Sequence, residues 1–494
     1  MNTVAFRRKR ELFVSTAILL FLFGAYSVAI DRFPPFIDEM IHVHGSEQGY
    51  TISPLENVDL GRQFTIWWMM LFQTHREAPI WISRIATLLT GMVAAASVIA
   101  IGRLAGGLWG AALAGLLYVF SAYNHFFSRL ALADPIAGAA VLLAIYFAYR
   151  LRRRATVGDA VLTGLCLFLA VGAKVSVIPY LGIIVAAAAA LSPPGRPWRE
   201  QVRWAVVALA VAIVSIVALV AGFRLLGHDF LSNSFSYALT NRGATSPSTL
   251  LDANRIAANI RFTFEIIAGY LGLIPTIGAL VAVGWLLARR RFYLPLCLVG
   301  PLLVVWLNQI QESRYLYVPG ALLMLCAAIV LADIVRKSQS PVRVAIVGLV
   351  MVWGGVQWLP FALTAADDPA RLPLPEVDVL QYVHSDAAGF ALADVRDYLL
   401  ERQPRQVVGL LANCNGLRYL SVADFPVECP VLSPDGSRVD ELADLLNARR
   451  AGGVYAVLED LPYVPATSPG KLVHTVERIG DRRVLSIFDL SPET

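Results

Sequence analysis

Charge is scarce in this chain. Asp, Glu, Lys and Arg make up 16% of its 494 residues, against roughly 25% in a typical soluble domain. Set beside 57% hydrophobic residues and a mean hydropathy of +0.61, that shortage excludes a disordered chain and an ordinary soluble globule. Lysine is scarcer still, with four against 37 arginines. Cysteine is sparse too, at five residues. Cys166, Cys297 and Cys326 lie in apolar runs and read as packing residues, whereas Cys414 and Cys429 lie near the C-terminus. There they are either two free thiols or a disulfide, worth about 3 kcal/mol for a loop of ~15 residues if that segment lies outside the cytoplasm.

What the chain has is long apolar stretches. A bilayer-spanning helix needs about 20 apolar residues. Runs at 12–30, 79–101, 108–122, 135–149, 158–173, 176–191, 204–225, 263–288, 292–308, 315–334 and 342–362 predict a polytopic α-helical membrane protein of about eleven spans. The net charge of +5 is divided unevenly: residues 364–494 carry 12 Lys+Arg against 20 Asp+Glu, and the preceding part 29 against 16. The charge therefore points to no nucleic-acid partner.

Much of the positive excess sits in alternate short loops, such as Arg150 with Arg152–Arg154, Arg289–Arg291, and Arg336 with Lys337. By the positive-inside rule these loops are cytoplasmic. Arg7, Arg8, Lys9 and Arg10 precede the first run, which reads as a retained signal anchor with the N-terminus inside. Eleven spans then put the C-terminus outside. Two outer loops are long, 31–78 and 226–262, and the first holds an amphipathic stretch, Phe64–Phe72, whose Trp67-Trp68 pair suits the membrane interface.

The expected division is a transmembrane catalytic domain, 1–363, and a soluble extracytoplasmic α/β domain, 364–494. In the latter, 407–411 and 454–458 read as buried strands, 439–450 as an amphipathic helix, and 473–477 with 484–488 as a hairpin. No catalytic motif is visible there.

Charges at the outer ends of spans are the informative residues, because burying them is costly. Asp38-Glu39 follows the first span, pinned near the membrane by Phe33–Ile37, with His42 and His44 close behind. The bland alternative is a solvated acidic pair. Asp38 and His42, four apart, would share a helix face and with His44 or Glu39 would seat a divalent metal. Ser128-Arg129 and Asp134-Pro135 mark another outer junction, where Asp134 before Pro also reads as a plain helix cap. Lys174, Arg314 and the adjacent Tyr315 lie at outer ends too; as a snorkelling cation or as a phosphate ligand, each basic residue would serve. Arg84 and His125 read as structural.

A carboxylate able to take a proton from an acceptor hydroxyl, beside cations able to stabilise a phosphate leaving group, fits glycosyl transfer from a lipid phosphate. One base without a covalent nucleophile favours inversion. A lipid-linked-glycan flippase or transporter is the alternative, to which inverted repeats and mid-membrane charges would point; neither is seen.

In order along 10–335 stand Asp38-Glu39, Arg84, Gly102–Gly107, Ser128–Pro135, Gly172-Ala173-Lys174 and Arg314–Pro319. This series resembles the GT-C glycosyltransferases of the dolichyl-phosphate-mannose–protein mannosyltransferase and lipid A aminoarabinose transferase type. The resemblance implies a GT-C fold, a polyprenyl-phosphate-linked sugar as donor, and a glycan, lipid or protein acceptor on the extracytoplasmic face. It implies Asp38 as catalytic aspartate, Glu39 and Asp134 as supporting acids, and Lys174 and Arg314 as donor-phosphate ligands. Arg129, Tyr315 and His42 complete the expected substrate-binding set. It also implies no metal cofactor. The tail loosely resembles the soluble domain ending some bacterial relatives.

Overall fold

A computed structural model describes residues 2–74, 78–190, 197–231, 252–307, 311–430, 451–459, 470–479 and 484–491. The chain is a bundle of apolar helices followed by a small mixed sheet. Helix α1 (Asn2–Ser27) is followed by two short helices in the first long loop, α2 (Ile37–Thr51) and α3 (Gln63–Met70). Asp38-Glu39 thus stands in the first turn of a helix rather than in open loop. Helix α4 (Pro79–Val119) covers two predicted spans and is broken at Gly107, where φ is +66°. There it doubles back so closely that a Cβ on Gly102 would overlap the Gly110 carbonyl. The Gly-Gly pair at 106–107 therefore makes a tight helical hairpin.

After a short helix, α5 (Ala122–Phe127), come α6 (Ala133–Arg154) and α7 (Val157–Ala173). The run at 263–288, expected to be one span, is two helices, Ala253–Leu271 and Leu273–Ala288, bent by 119° at Gly272. Among the described residues six helices are long and apolar enough to cross a bilayer, and the bent pair adds a seventh. Because α4 is folded back at Gly107 and several apolar helices are shorter than a full span, helix length alone does not decide the count of eleven. The protein is a multi-pass membrane protein.

The sheet has strand order β2-β1-β3-β5-β4, with β1 (Gln406–Leu410), β2 (Val427–Glu428), β3 (Val454–Glu459), β4 (Lys471–Glu477) and β5 (Val484–Asp489). β1 runs parallel to β2 and β3, while β5 is antiparallel to β3 and β4. Both predicted strands and the hairpin are present; the helix expected at 439–450 lies outside the described residues. Cys414 and Cys429 form a disulfide. The tail is not a detached unit: Leu372, Leu374, Tyr382, Val383 and Tyr419 share one buried cluster with the apolar helices.

Candidate active site

Three helix ends meet at one end of the bundle. Asp38 lies in the first turn of α2 and Asp134 in the first turn of α6, where the helix dipole favours an anion. The N-cap of α6 is Leu132, so Asp134 is not the cap that Asp-Pro suggested. Lys174 follows the last residue of α7 in extended conformation, a position where a cation is favoured. Arg314 sits in a short 3₁₀ turn, Ser313–Leu316, that leads into helix Tyr317–Lys337. The Tyr123 hydroxyl steadies that turn by donating to the Ser313 carbonyl at 2.6 Å.

These charges pair with one another. The Lys174 ammonium donates to Asp134 at 2.5 Å. Arg314 contacts Asp38 at 2.5 Å, lies 3.8 Å from Asp134, and pairs with Glu312. The Tyr315 ring lies under Lys174, its centroid 4.8 Å from the ammonium. Asp134, Lys174, Ser176, Tyr180, Arg314 and Tyr315 line a solvent-connected cavity. Most of this surface is withdrawn from bulk water: the Arg314, Lys174 and Asp134 side chains are 8%, 11% and 10% exposed, whereas that of Asp38 is 24% exposed.

Glu39 faces the other way. Its carboxylate, 0% exposed, receives Arg84 Nε and Nη2 at 2.9 and 2.7 Å, the Ala131 N–H at 2.7 Å and the Phe36 N–H at 3.1 Å. Every lone pair pointing at a partner is engaged, so Glu39 ties α2 to α4 and to the segment before α6. Arg84 also donates to the carbonyls of Ile30, Phe33 and Pro34.

His42 is buried against the same wall. Its Nδ1 donates to the Ala131 carbonyl at 2.9 Å and its Nε2 accepts from Arg62 at 3.1 Å, partners that assign the tautomer. Burial, then the Arg62 charge, push its pKa well below the usual 6.5, so it is neutral. With both ring nitrogens of His42 and the Glu39 oxygens engaged, and His44 Nδ1 against the Tyr419 hydroxyl, the metal seat suggested by their spacing is not assembled. No cluster of three or more potential metal ligands occurs among the described residues.

Arg129 is not part of this cavity. It donates to the Val28 and Ala29 carbonyls at 2.8 and 2.6 Å and meets His125 at 2.8 Å, lining a separate cleft with Ile30, Phe33 and Phe126. This cation is bound by carbonyls that follow α1.

Two residues escaped the sequence reading. Arg62, half-buried at the start of α3, touches His42 and has no carboxylate within ion-pair distance among the described residues. Its only sequence signal was a basic residue ahead of the aromatic stretch. Tyr382, 1% exposed, packs its ring 4.5 Å from Phe36 and 5.1 Å from Phe126, and its hydroxyl is buried without a hydrogen-bond partner among the described residues.

Residues 28–229 match the family described as dolichyl-phosphate-mannose-protein mannosyltransferase. Among curated proteins none matches at significant similarity. Among solved structures, ArnT from Cupriavidus metallidurans in the apo state superimposes with a TM-score of 0.61 at 14% identity, over 98% of this chain and 99% of that one. The same enzyme bound to undecaprenyl phosphate gives 0.60 at 14% identity over the same shares. The Archaeoglobus fulgidus oligosaccharyltransferase in the apo form gives 0.50 at 11% identity, over 90% of this chain and 69% of that one. The family match spans the helices that carry Asp38, Asp134 and Lys174, and the fold is shared over nearly the whole length, so the chain is similar to the mannosyltransferase family over residues 28–229 and has the fold of ArnT.

Proposed function

We propose that the protein transfers a sugar from a polyprenyl-phosphate donor to an acceptor hydroxyl on the extracytoplasmic face, with inversion and with Asp38 as general base. The observation that carries this reading is the salt bridge between Asp38 and Arg314, 2.5 Å long, beside the Lys174–Asp134 pair at the same distance. The base contacts one of the two cations that line the pocket.

In the reaction the acceptor oxygen attacks the anomeric carbon, its proton passes to Asp38, and the bond from that carbon to the phosphate oxygen breaks. The electron pair leaves with the polyprenyl phosphate. Lys174 and Arg314 would stabilise the charge that grows on that phosphate, and Arg62, without a carboxylate partner among the described residues, is suited to join them. Asp134 orients both pocket cations, and Glu39 and His42 hold α2 and Arg62 in place. Support from outside the chain is that one structure of the same fold is bound to undecaprenyl phosphate. The partners are then a polyprenyl-phosphate-linked sugar within the membrane lipid and a glycan, lipid or protein acceptor. In this reading the N-terminus is cytoplasmic and the C-terminal domain extracytoplasmic.

The test is acceptor-dependent release of polyprenyl phosphate from a radiolabelled donor by purified protein in vesicles. Movement of the intact donor across the bilayer without transfer would overturn the proposal in favour of a transporter.

A further inference from the structure

The segment immediately before Asp38 is gripped from the C-terminal domain. Ile37 donates its N–H to the Ala387 carbonyl at 3.0 Å. The Asn413 side-chain amide, in a residue 1% exposed, donates to the Pro35 carbonyl at 2.8 Å and to the Ala387 carbonyl at 3.1 Å. Its oxygen accepts from the Gly416 N–H at 3.2 Å and so caps the Cys414–Leu420 helix. Gly389 lies so close that a Cβ there would overlap the Pro35 carbonyl.

The same short helix reaches α2 a second time. The Tyr419 hydroxyl donates to Glu47 at 2.6 Å and meets His44 Nδ1 at 2.7 Å. Behind it, Arg478 and Glu459 form a buried ion pair. Arg478 donates to the Ser385 carbonyl at 3.2 Å, and Glu459 accepts the Ala412 N–H at 2.8 Å. One buried pair thus braces both loops, 385–389 and 411–413, that close on Pro35.

An ordinary domain interface would spread its polar contacts over whatever surface it covers. Apart from the Tyr270 hydroxyl on Asp378, the hydrogen bonds from this domain to the helices, among the described residues, fall on Pro35, Ile37, His44 and Glu47. From the membrane side Arg84 holds the Phe33 and Pro34 carbonyls, and the next carbonyl, that of Pro35, is held by the tail.

We propose that the C-terminal domain is a working part of the active site, with Asn413 as a positioning residue that sets Asp38 through the Pro35 carbonyl. The inference rests on the reading of Asp38 as base given above. A misplacement of about 1 Å at a reacting group costs roughly 10²-fold in rate, so the grip matters to turnover more than to donor binding.

Two variants of the full-length protein test it. Asn413→Asp keeps the size and the cap on Gly416 but turns the donor facing two carbonyls into an acceptor. Gly389→Ala displaces the same carbonyl from the other side and leaves Asn413 intact. For both, the expected result is a fall in kcat approaching 10²-fold, unchanged affinity for undecaprenyl phosphate, and faster hydrogen exchange over residues 35–44 with the β-sheet still protected. Normal kcat in both variants, while the wild type transfers sugar, overturns the positioning role alone. So does a loss of kcat accompanied by exchange throughout the sheet. A wild-type protein that transfers no sugar overturns the functional reading, and this proposal with it.

Discussion

Arg314 contacts Asp38 at 2.5 Å while its Nε lies 3.8 Å from Asp134, so a single guanidinium spans the acid at the head of α2 and the acid at the head of α6. Lys174 closes the arrangement on the far side of Asp134. The two basic residues are therefore held in place before any donor arrives, and little reorganisation is required when a phosphate approaches them.

Lys174→Ala and Arg314→Ala should each weaken binding of undecaprenyl phosphate. A hydrogen bond to a charged group contributes about 1.5–3 kcal/mol, which is roughly 10- to 100-fold in affinity. Arg62→Ala should show the same direction with a smaller effect, because Arg62 is more exposed than Arg314. Titration of the detergent-solubilised protein with undecaprenyl phosphate measures this; unchanged affinity in all three variants would remove the phosphate from this pocket.

Asp38→Asn and Glu39→Gln should part company. Asp38→Asn keeps the fold and donor affinity, and turnover falls roughly 10²–10⁴-fold as general-base catalysis is lost. Glu39→Gln leaves buried Arg84 without its counter-charge, and breaking such a pair costs about 3–5 kcal/mol. Thermal unfolding should then shift strongly for Glu39→Gln and little for Asp38→Asn. Should Asp38→Asn turn over normally, the base lies elsewhere.

The separation of these two adjacent acids shows what sequence reading reaches. Asp38, Asp134, Lys174 and Arg314 stand out because each is a charge beside an apolar run, where desolvation must be compensated. Periodicity and charge do not tell which neighbour faces the cavity: Glu39 turns inward to Arg84, and Arg129 turns to the carbonyls of Val28 and Ala29. The bend at Gly272 is hidden for a related reason, since an apolar run reads the same straight or broken. Least legible is Asn413, whose partner Pro35 is 378 residues away in sequence. Nothing local marks an Asn before a helix as more than a cap.

Glu47 gives the contact between α2 and the Cys414–Leu420 helix a pH dependence. Hydrogen bonding from His44, then from Tyr419, lowers its pKa to about 2 from the usual 4.5. A carboxyl whose folded pKa is depressed contributes stability that is complete above its unfolded value and is lost as pH falls through the folded one. The contribution should therefore be full at neutral pH and disappear between about pH 4.5 and pH 2. Wild type and Glu47→Gln should differ in Tm by a constant amount above pH 5 and converge in that acid window, as followed by differential scanning fluorimetry. A gap that widens as pH falls would contradict the assignment.

The disulfide should govern the same contact by a different route. Cys414 opens the helix that Asn413 caps, and Cys429 follows β2 at the edge of the sheet, so the bridge ties that helix to the strand beside it. Closing a loop of ~15 residues contributes about 3 kcal/mol in the chain-entropy model. The remaining cysteines, Cys166, Cys297 and Cys326, are buried and free, so mild reduction followed by alkylation of the folded protein should label two thiols, both in the tail. A Cys414→Ser/Cys429→Ser double variant should lower the stability of the C-terminal domain by about that amount. It should also lower kcat with the pattern expected of Asn413→Asp, because the helix that carries the grip on Pro35 loses its tether. If stability falls as expected and kcat does not, the hydrogen bonds of Asn413 and Tyr419 hold α2 without help from the bridge, and the disulfide serves the tail alone.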